Sequence, residues 1–240
     1  MKTVSIIIPA YKEEKYIENA LKGIIKIFNQ KEFIFEIIVV VDKTNDDLTH
    51  KIVHDLSLEF IEIKPIMRNK KGGIASAIKI GIENATKEIT IIAMGENSQD
   101  PNDLVDMALK MEDGYDMVFG NRFYNKQKLD QYPVKKAFLN FFCNLTLKLL
   151  FGIKSRDITN GIKTYKKNIL KNLEIESVGF EIFIELPVKS YLSGKTNFCE
   201  IPFQYFGRSD QESKFIVSKE GPKYIRIIWQ CYKIKISNKF

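Results

Sequence analysis

Apolar residues follow two rhythms along this chain. Unbroken runs such as "VSIIIPA" (4–10), "EIIVVVD" (36–42), "EITIIAMG" (88–95) and "YDMVFGNR" (115–122) predict strands buried on both faces. Stretches with helical spacing follow them, at 13–28, 45–57, 72–85 and 101–112, and "FIEIK" (60–64) reads as a further short strand. The first helix places Ile17, Ala20, Leu21, Ile24 and Ile25 on one face. Strands alternating with helices predict an α/β fold with a mostly parallel central sheet flanked by helices. Beyond residue 130 the rhythm changes. A helix over 132–154 is apolar on nearly every side, and 156–170 reads as a polar turn leading into a basic segment. A helix over 179–194 is interrupted near Pro187, and 196–206 reads as a strand.

Polar residues gather where the predicted strands end: Tyr11 and Glu13, Asp42, Glu96 to Asp100, and Asn121 with Arg122. Parallel sheets bind ligands at the carboxyl ends of their strands, so this distribution marks a candidate site. The oxygen-rich stretch "GENSQD" after a buried strand is the densest part of it. No GxGxxG follows the first strand and no GxxxxGK occurs, which removes the main support for dinucleotide-fold and P-loop readings. With His50 and His54 as the only histidines, a histidine-based triad or metal site is not expected.

Charge sharpens this picture in one place. The net charge is +7, and residues 213–240 hold seven Lys or Arg against one Glu, so the rest of the chain is close to neutral. A basic end on a near-neutral body points to a local anionic partner, lipid headgroups or phosphates, and away from a general nucleic-acid surface. No apolar run reaches the roughly 20 residues of a membrane-spanning helix, and no signal-peptide pattern opens the chain. Cys143, Cys199 and Cys231 are too few and scattered for a disulfide framework or a zinc site. A cytoplasmic, reducing setting is expected.

The motifs together resemble family 2 glycosyltransferases, in their dolichol-phosphate mannose synthase-like branch. "VSIIIPAYKEEKYI" resembles the family's opening, and "VVVDKTNDDLT" stands where it has V-D-D-G-S-x-D-G-T. "NKKGGIASAIKIG" matches the Gly-rich segment after the third strand, and "MGENSQDP" occupies the place of the metal-binding D-x-D. "FGNRF", "DITNGIKTYKK" and "RSDQESKF" resemble G-S-R-[FY], D-x-T-S-G-F-R-x-Y-[RK] and R-x-x-G-E-S-K. The matches keep their order over roughly residues 3–220. The resemblance implies a GT-A fold over residues 1–220, a basic amphipathic segment at 221–240, and inverting transfer of a sugar from a nucleoside diphosphate.

It also implies roles. Pro9, Tyr11, Glu13, Asp42 and Gly73 would hold the nucleotide, which suits an aromatic ring against a base and carboxylates accepting from base N–H or ribose hydroxyls. For Asp42 alone the other reading is a strand-end turn or helix cap. Glu96, Asn97 and Asp100 would hold Mg²⁺ or Mn²⁺ through hard oxygen ligands, although D-x-D has become Gly95-Glu96-Asn97; otherwise Asp100 merely caps the helix at 101. Arg122, Arg208 and Lys214 would act on the departing diphosphate or an anionic acceptor, with Lys163 and Ser213 as further phosphate or acceptor contacts. Lys163 stands where the family has Arg, giving up the bidentate fork.

Acceptor chemistry stays open between two classes. A lipid phosphate is largely dianionic near neutral pH, with a second pKa of about 6, and attacks without a base. A glycan hydroxyl needs one, and Asp157 is the candidate, unless it only caps the "DITNG" turn. The apolar helix (Phe138, Leu139, Phe141, Phe142, Leu145, Leu149, Phe151) and the basic tail with Tyr224, Ile227, Ile228, Trp229 and Tyr232 suit a peripheral membrane surface, or equally internal packing or a homo-oligomer interface. The most favoured expectation is transfer to a polyprenyl phosphate at the cytoplasmic membrane face, in cell-envelope biogenesis. A catalytically inactive nucleotide-sugar binding protein is the alternative from another class.

Overall fold

The structure, a computed structural model, describes residues 3–43, 46–69, 72–96, 99–124, 134–203 and 217–237. Seven strands form one sheet: β1 (Thr3–Ala10), β2 (Ile34–Asp42), β3 (Ile63–Arg68), β4 (Ile89–Ile92), β5 (Met117–Asn121), β6 (Lys163–Lys166) and β7 (Phe198–Pro202). Their order is β3-β2-β1-β4-β6-β5-β7. All run parallel except β6, which pairs antiparallel with both β4 and β5. The mostly parallel sheet expected from the apolar runs is present, and β1, β2, β4 and β5 are almost wholly buried.

Helices cover both faces. α1 (Ile17–Gln30), α2 (Thr49–Glu59) and α4 (Pro101–Lys110) pack on one side around Ile6, Ile8, Leu21, Phe28, Val39 and Leu104. The predicted apolar face of α1 is the buried one, joined by Phe28. α3 (Gly73–Asn84), α6 (Lys167–Lys171) and α7 (Ile182–Leu192) cover the other side around Ile7, Ile78, Phe119, Tyr165 and Leu186. Gly81 lets α3 lie close on β1, since a Cβ there would sit 2.2 Å from Ile7 Cγ2.

Several sequence expectations shift. The helix over 179–194, expected to be interrupted near Pro187, runs unbroken as α7 with Pro187 inside it. β3 runs over Ile63–Arg68, not 60–64, because 60–62 turn out of α2 and pairing with β2 continues to Asp42↔Arg68. Pro65 is tolerated there because β3 is an edge strand. The segment 156–170, read as a turn and a basic stretch, contains β6. Its Lys-Thr-Tyr-Lys sequence carries no strand pattern; it is a strand because two neighbours satisfy its backbone, and Thr164 and Tyr165 are buried by position.

α5 (Val134–Phe151) and α8 (Val217–Ser237) form a third layer on α7. Leu147 and Phe151 of α5 and Ile227 and Cys231 of α8 meet Ile184 and Val188 of α7. Residue 221 therefore falls inside a continuous helix. The internal-packing reading holds for these inward faces. The outward faces still expose Phe138 (63%), Phe141, Phe142 and Leu149 on α5, and Ile225, Trp229 (55%) and Ile236 on α8. Among the described residues no helix is long and apolar enough to cross a membrane.

Candidate active site

Because β6 is reversed, its first residue lies at the same sheet edge as the last residues of the parallel strands. Arg68, Asp42, the segment after Ala10, the turn after β4, Lys163 and Asn121–Arg122 thus line one rim in strand order.

The β1–β2 end is tightly stitched. Glu13 N–H donates to Thr49 Oγ1 at 2.7 Å, Glu14 Oε2 accepts from Leu48 N–H at 2.9 Å, and Lys12 pairs with Asp46. Pro9 stands in β1 beside Val40, and Tyr11 is half-buried just past the strand. Asp42 is buried, and Arg68 Nη2 lies 2.5 Å from its Oδ1. Arg68 also donates to Ser76 Oγ at 3.0 Å and to Gly73 O at 3.4 Å, bracing the start of α3. A Cβ on residue 72 would sit 2.6 Å from Arg68 Nη1, and Gly73 has φ +75, so the glycine pair makes room for this arginine. The sequence pattern ends the third strand at residue 64 and so gives no role to Arg68, which closes β3. The available signal was an arginine four residues ahead of a Gly-Gly pair.

The turn after β4 folds on itself. Gln99, buried, donates from Nε2 to Met94 O at 2.6 Å and accepts Met94 N–H on Oε1 at 3.3 Å. A Cβ on Gly95 would stand 3.0 Å from Ile17 Cδ1 and 3.6 Å from Pro9 O, which places this turn against the end of β1. Asp100 caps α4, accepting on Oδ1 from Asn102 N–H and Nδ2–H, both at 2.9 Å. Oδ2 of Asp100 has no hydrogen-bond donor among the described residues. Glu96 and Asp100 therefore flank one short turn as hard oxygen donors. No group of three or more His, Cys, Asp or Glu residues suited to a metal occurs among the described residues. Two carboxylates completed by phosphate oxygens nevertheless suit Mg²⁺, which is commonly held that way. Asn97 lies outside the described residues.

The other half of the rim centres on one ion pair. Asp157, fully buried, accepts from Arg122 Nε at 2.8 Å, Nη2 at 2.7 Å and the Arg122 backbone N–H at 2.9 Å. Arg122 Nη2 also donates to Thr159 Oγ1 at 3.1 Å. A carboxylate held by this fork on both oxygens is poorly placed to take a proton from a hydroxyl. Lys163 is not where a phosphate would meet it. It is 1% exposed, donates to Asn160 O, and sits 5.8 Å from the Phe119 and Phe183 ring centroids. Burial pushes its pKa down to about 7, with Asp157 and Glu200 opposing that shift and Arg122 adding to it. Arg208, Ser213 and Lys214 lie outside the described residues.

Lys163 makes stability depend on pH. The unfolded chain binds this proton below about 10.5 and the folded protein only near 7, so Lys163 costs stability as pH falls through that window. The melting temperature of the wild type relative to Lys163→Met is expected to rise between about pH 7 and pH 10. A constant difference would mean that the buried lysine stays charged throughout.

The family model for glycosyl transferase family 2 matches residues 5–174. A dolichol-phosphate mannosyltransferase from Pyrococcus furiosus is 26% identical over 96% of this chain, which spans 64% of that protein's length. A UDP-N-acetylglucosamine–dolichyl-phosphate N-acetylglucosaminyltransferase from Methanococcus voltae is 24% identical, with 85% of each chain covered. Among solved structures, glucosyl-3-phosphoglycerate synthase from Mycobacterium tuberculosis, crystallised with Mn²⁺, uridine diphosphate and phosphoglyceric acid, superposes with a TM-score of 0.69 at 13% identity, over 96% of this chain and 78% of the other. That likeness carries the fold, which is the GT-A arrangement the motifs implied. Because the family model matches well over half of the chain, the protein belongs to glycosyl transferase family 2.

Proposed function

We propose that this chain is an inverting glycosyltransferase that moves a sugar from a nucleoside diphosphate sugar to a polyprenyl phosphate, working at the cytoplasmic face of a membrane. The observation that carries the choice of acceptor is the Arg122–Asp157 pair. Asp157 is the carboxylate the motif offers as a base, and its oxygens are committed to Arg122. A phosphate acceptor needs no base, because its oxygen is already ionised near neutral pH, with a second pKa of about 6. The named activities of the Pyrococcus and Methanococcus relatives support the same acceptor class.

In this reading Pro9, Tyr11, Glu13, Asp42 and Gly73 form the nucleotide side, with Arg68 holding Asp42 in place. Glu96, Asp100 and Asn97 would hold Mg²⁺ or Mn²⁺, which when bound neutralises the diphosphate as it departs. Arg122, with Arg208, Ser213 and Lys214 from the later segment, meets phosphate oxygens as charge moves onto them. The deciding experiment offers labelled nucleotide sugars and a short-chain polyprenyl phosphate, with and without chelator. Labelled sugar should pass to the lipid phosphate in a metal-dependent way. Transfer to a glycan hydroxyl instead would favour the second acceptor class, and binding without transfer or donor hydrolysis would favour an inactive binding protein.

The outward faces of α5 and α8 supply the membrane contact. Lys219, Arg226, Lys233 and Lys235 accompany Ile225, Trp229 and Ile236 on α8, and exposed aromatics line α5. Lysine and arginine around an apolar and aromatic surface suit anionic headgroups. The protein is expected to co-sediment with anionic vesicles and lose that binding on Phe141→Asp or Trp229→Asp. Equal recovery in the supernatant with and without vesicles at low salt would remove the membrane contact.

A further inference from the structure

Glu200 sits directly behind the Arg122–Asp157 pair, bonded to the neighbours of both. It stands mid-strand in β7, in register with Phe119 of β5, and is half-buried. Its Oε1 accepts from Ser155 Oγ at 2.5 Å, Arg156 N–H at 2.8 Å and Asp157 N–H at 3.3 Å. Its Oε2 accepts from Asn121 Nδ2 at 2.9 Å. Asn121 in turn accepts Phe123 N–H on Oδ1 at 2.8 Å, spanning Arg122.

We propose that Glu200 is a positioning residue for sugar transfer: it fixes the turn at 155–157 and the end of β5 together, so that Asp157 presents Arg122 in one orientation. The proposal rests on the reading in which Arg122 meets phosphate oxygens. One oxygen of Glu200 gathers the donors of the turn that carries Asp157, and the other holds the residue that precedes Arg122. Both ends of the ion pair thus hang on one carboxylate. The sheet itself does not require this, since backbone pairing already joins β7 to β5 from Met117 to Asn121. What the four bonds add is a fixed relation between the 155–157 turn and the tip of β5, and the Arg122–Asp157 fork spans those same two segments. Catalysis by charge stabilisation depends on donors being placed before the reaction, and a shift of about 1 Å can cost on the order of a hundredfold in rate.

Glu200→Gln keeps the size of the side chain but turns one oxygen into an amino group, which must face either the turn's N–H donors or Asn121 Nδ2. One of the two holds is therefore lost. The chain contains five arginines, so ¹⁵N-arginine labelling gives a sparse spectrum, and the Arg122 Nε–H signal is assigned by its disappearance in Arg122→Lys. In the wild type this proton should exchange slowly. In Glu200→Gln it should exchange about tenfold faster or more, with turnover down by a similar factor and the donor KM within about twofold, the size of effect that outer-shell partners have elsewhere. Ser155→Ala, which removes one donor from Oε1 and leaves the carboxylate in place, should show the same pattern more weakly, and it serves if the Gln variant does not fold. Unchanged Nε–H exchange in both variants, whether or not turnover falls, overturns the positioning role. A wild-type protein that transfers no sugar would remove the functional reading and leave the exchange experiment to decide the role of Glu200 by itself.

Discussion

Arg122→Ala is expected to lower the transfer rate by about 10²–10³-fold, the loss typical when one donor to developing negative charge is removed. The same change leaves Asp157 buried without its partner, and breaking such a pair costs about 3–5 kcal/mol. Activity must therefore be read at a temperature where the variant is folded. Asp157→Asn separates the two acceptor classes. If Asp157 only orients Arg122, turnover falls but the pH dependence keeps its shape, because the group that titrates belongs to the phosphate acceptor or its donor. If Asp157 takes a proton from a hydroxyl, the limb of the profile that reports it disappears. Steady-state rates across pH 5.5 to about 9 distinguish these outcomes. An Asp157→Asn variant whose rate and pH profile both match the wild type would remove Asp157 from the chemistry, and an unchanged rate in Arg122→Ala would do the same for Arg122.

Asp42→Ala is expected to abolish measurable nucleotide binding and to destabilise the fold by about 3 kcal/mol or more. The stability loss comes from Arg68, whose side chain is 12% exposed and whose charge would lose the carboxylate 2.5 Å away. Replacing both partners, as Asp42→Ala with Arg68→Met, should recover most of the stability, since an uncharged pair carries no such penalty. It should not recover nucleotide affinity. Chemical unfolding and calorimetric titration with uridine and guanosine diphosphates measure the two effects separately. Full affinity in the double variant would show that Asp42 serves the fold and not the nucleotide.

Much of this architecture is legible in the sequence. The runs that became β1, β2, β4 and β5 are short, largely β-branched and apolar at consecutive positions, which suits a strand covered on both faces, and α1 carried its buried face in plain spacing. The clustering of Glu13, Asp42, Glu96 and Arg122 at strand ends was readable for the same reason, since strand direction in a parallel sheet follows from the alternation of elements. β6 was not readable. Its four residues, Lys163 to Lys166, hold two strand formers, Thr164 and Tyr165, between lysines, too short and too polar a pattern to announce a strand, and they take that form by pairing with β4 and β5 on either side.

The sequence by itself determined the class of fold, the rim on which the candidate chemistry lies and the family, because these depend on periodicity and on motif order along the chain. The tertiary structure alone decided what each charged group does there. Asp42 answers to Arg68 across β2 and β3, Asp157 to Arg122 across 35 residues, and Glu200 to a turn more than 40 residues earlier. Lys163, a plausible phosphate ligand on paper, is enclosed by Phe119 and Phe183. The reason is physical: a side chain's charge state and partners depend on burial and on neighbours within a few ångströms, and those neighbours come from segments whose meeting only the packed sheet specifies.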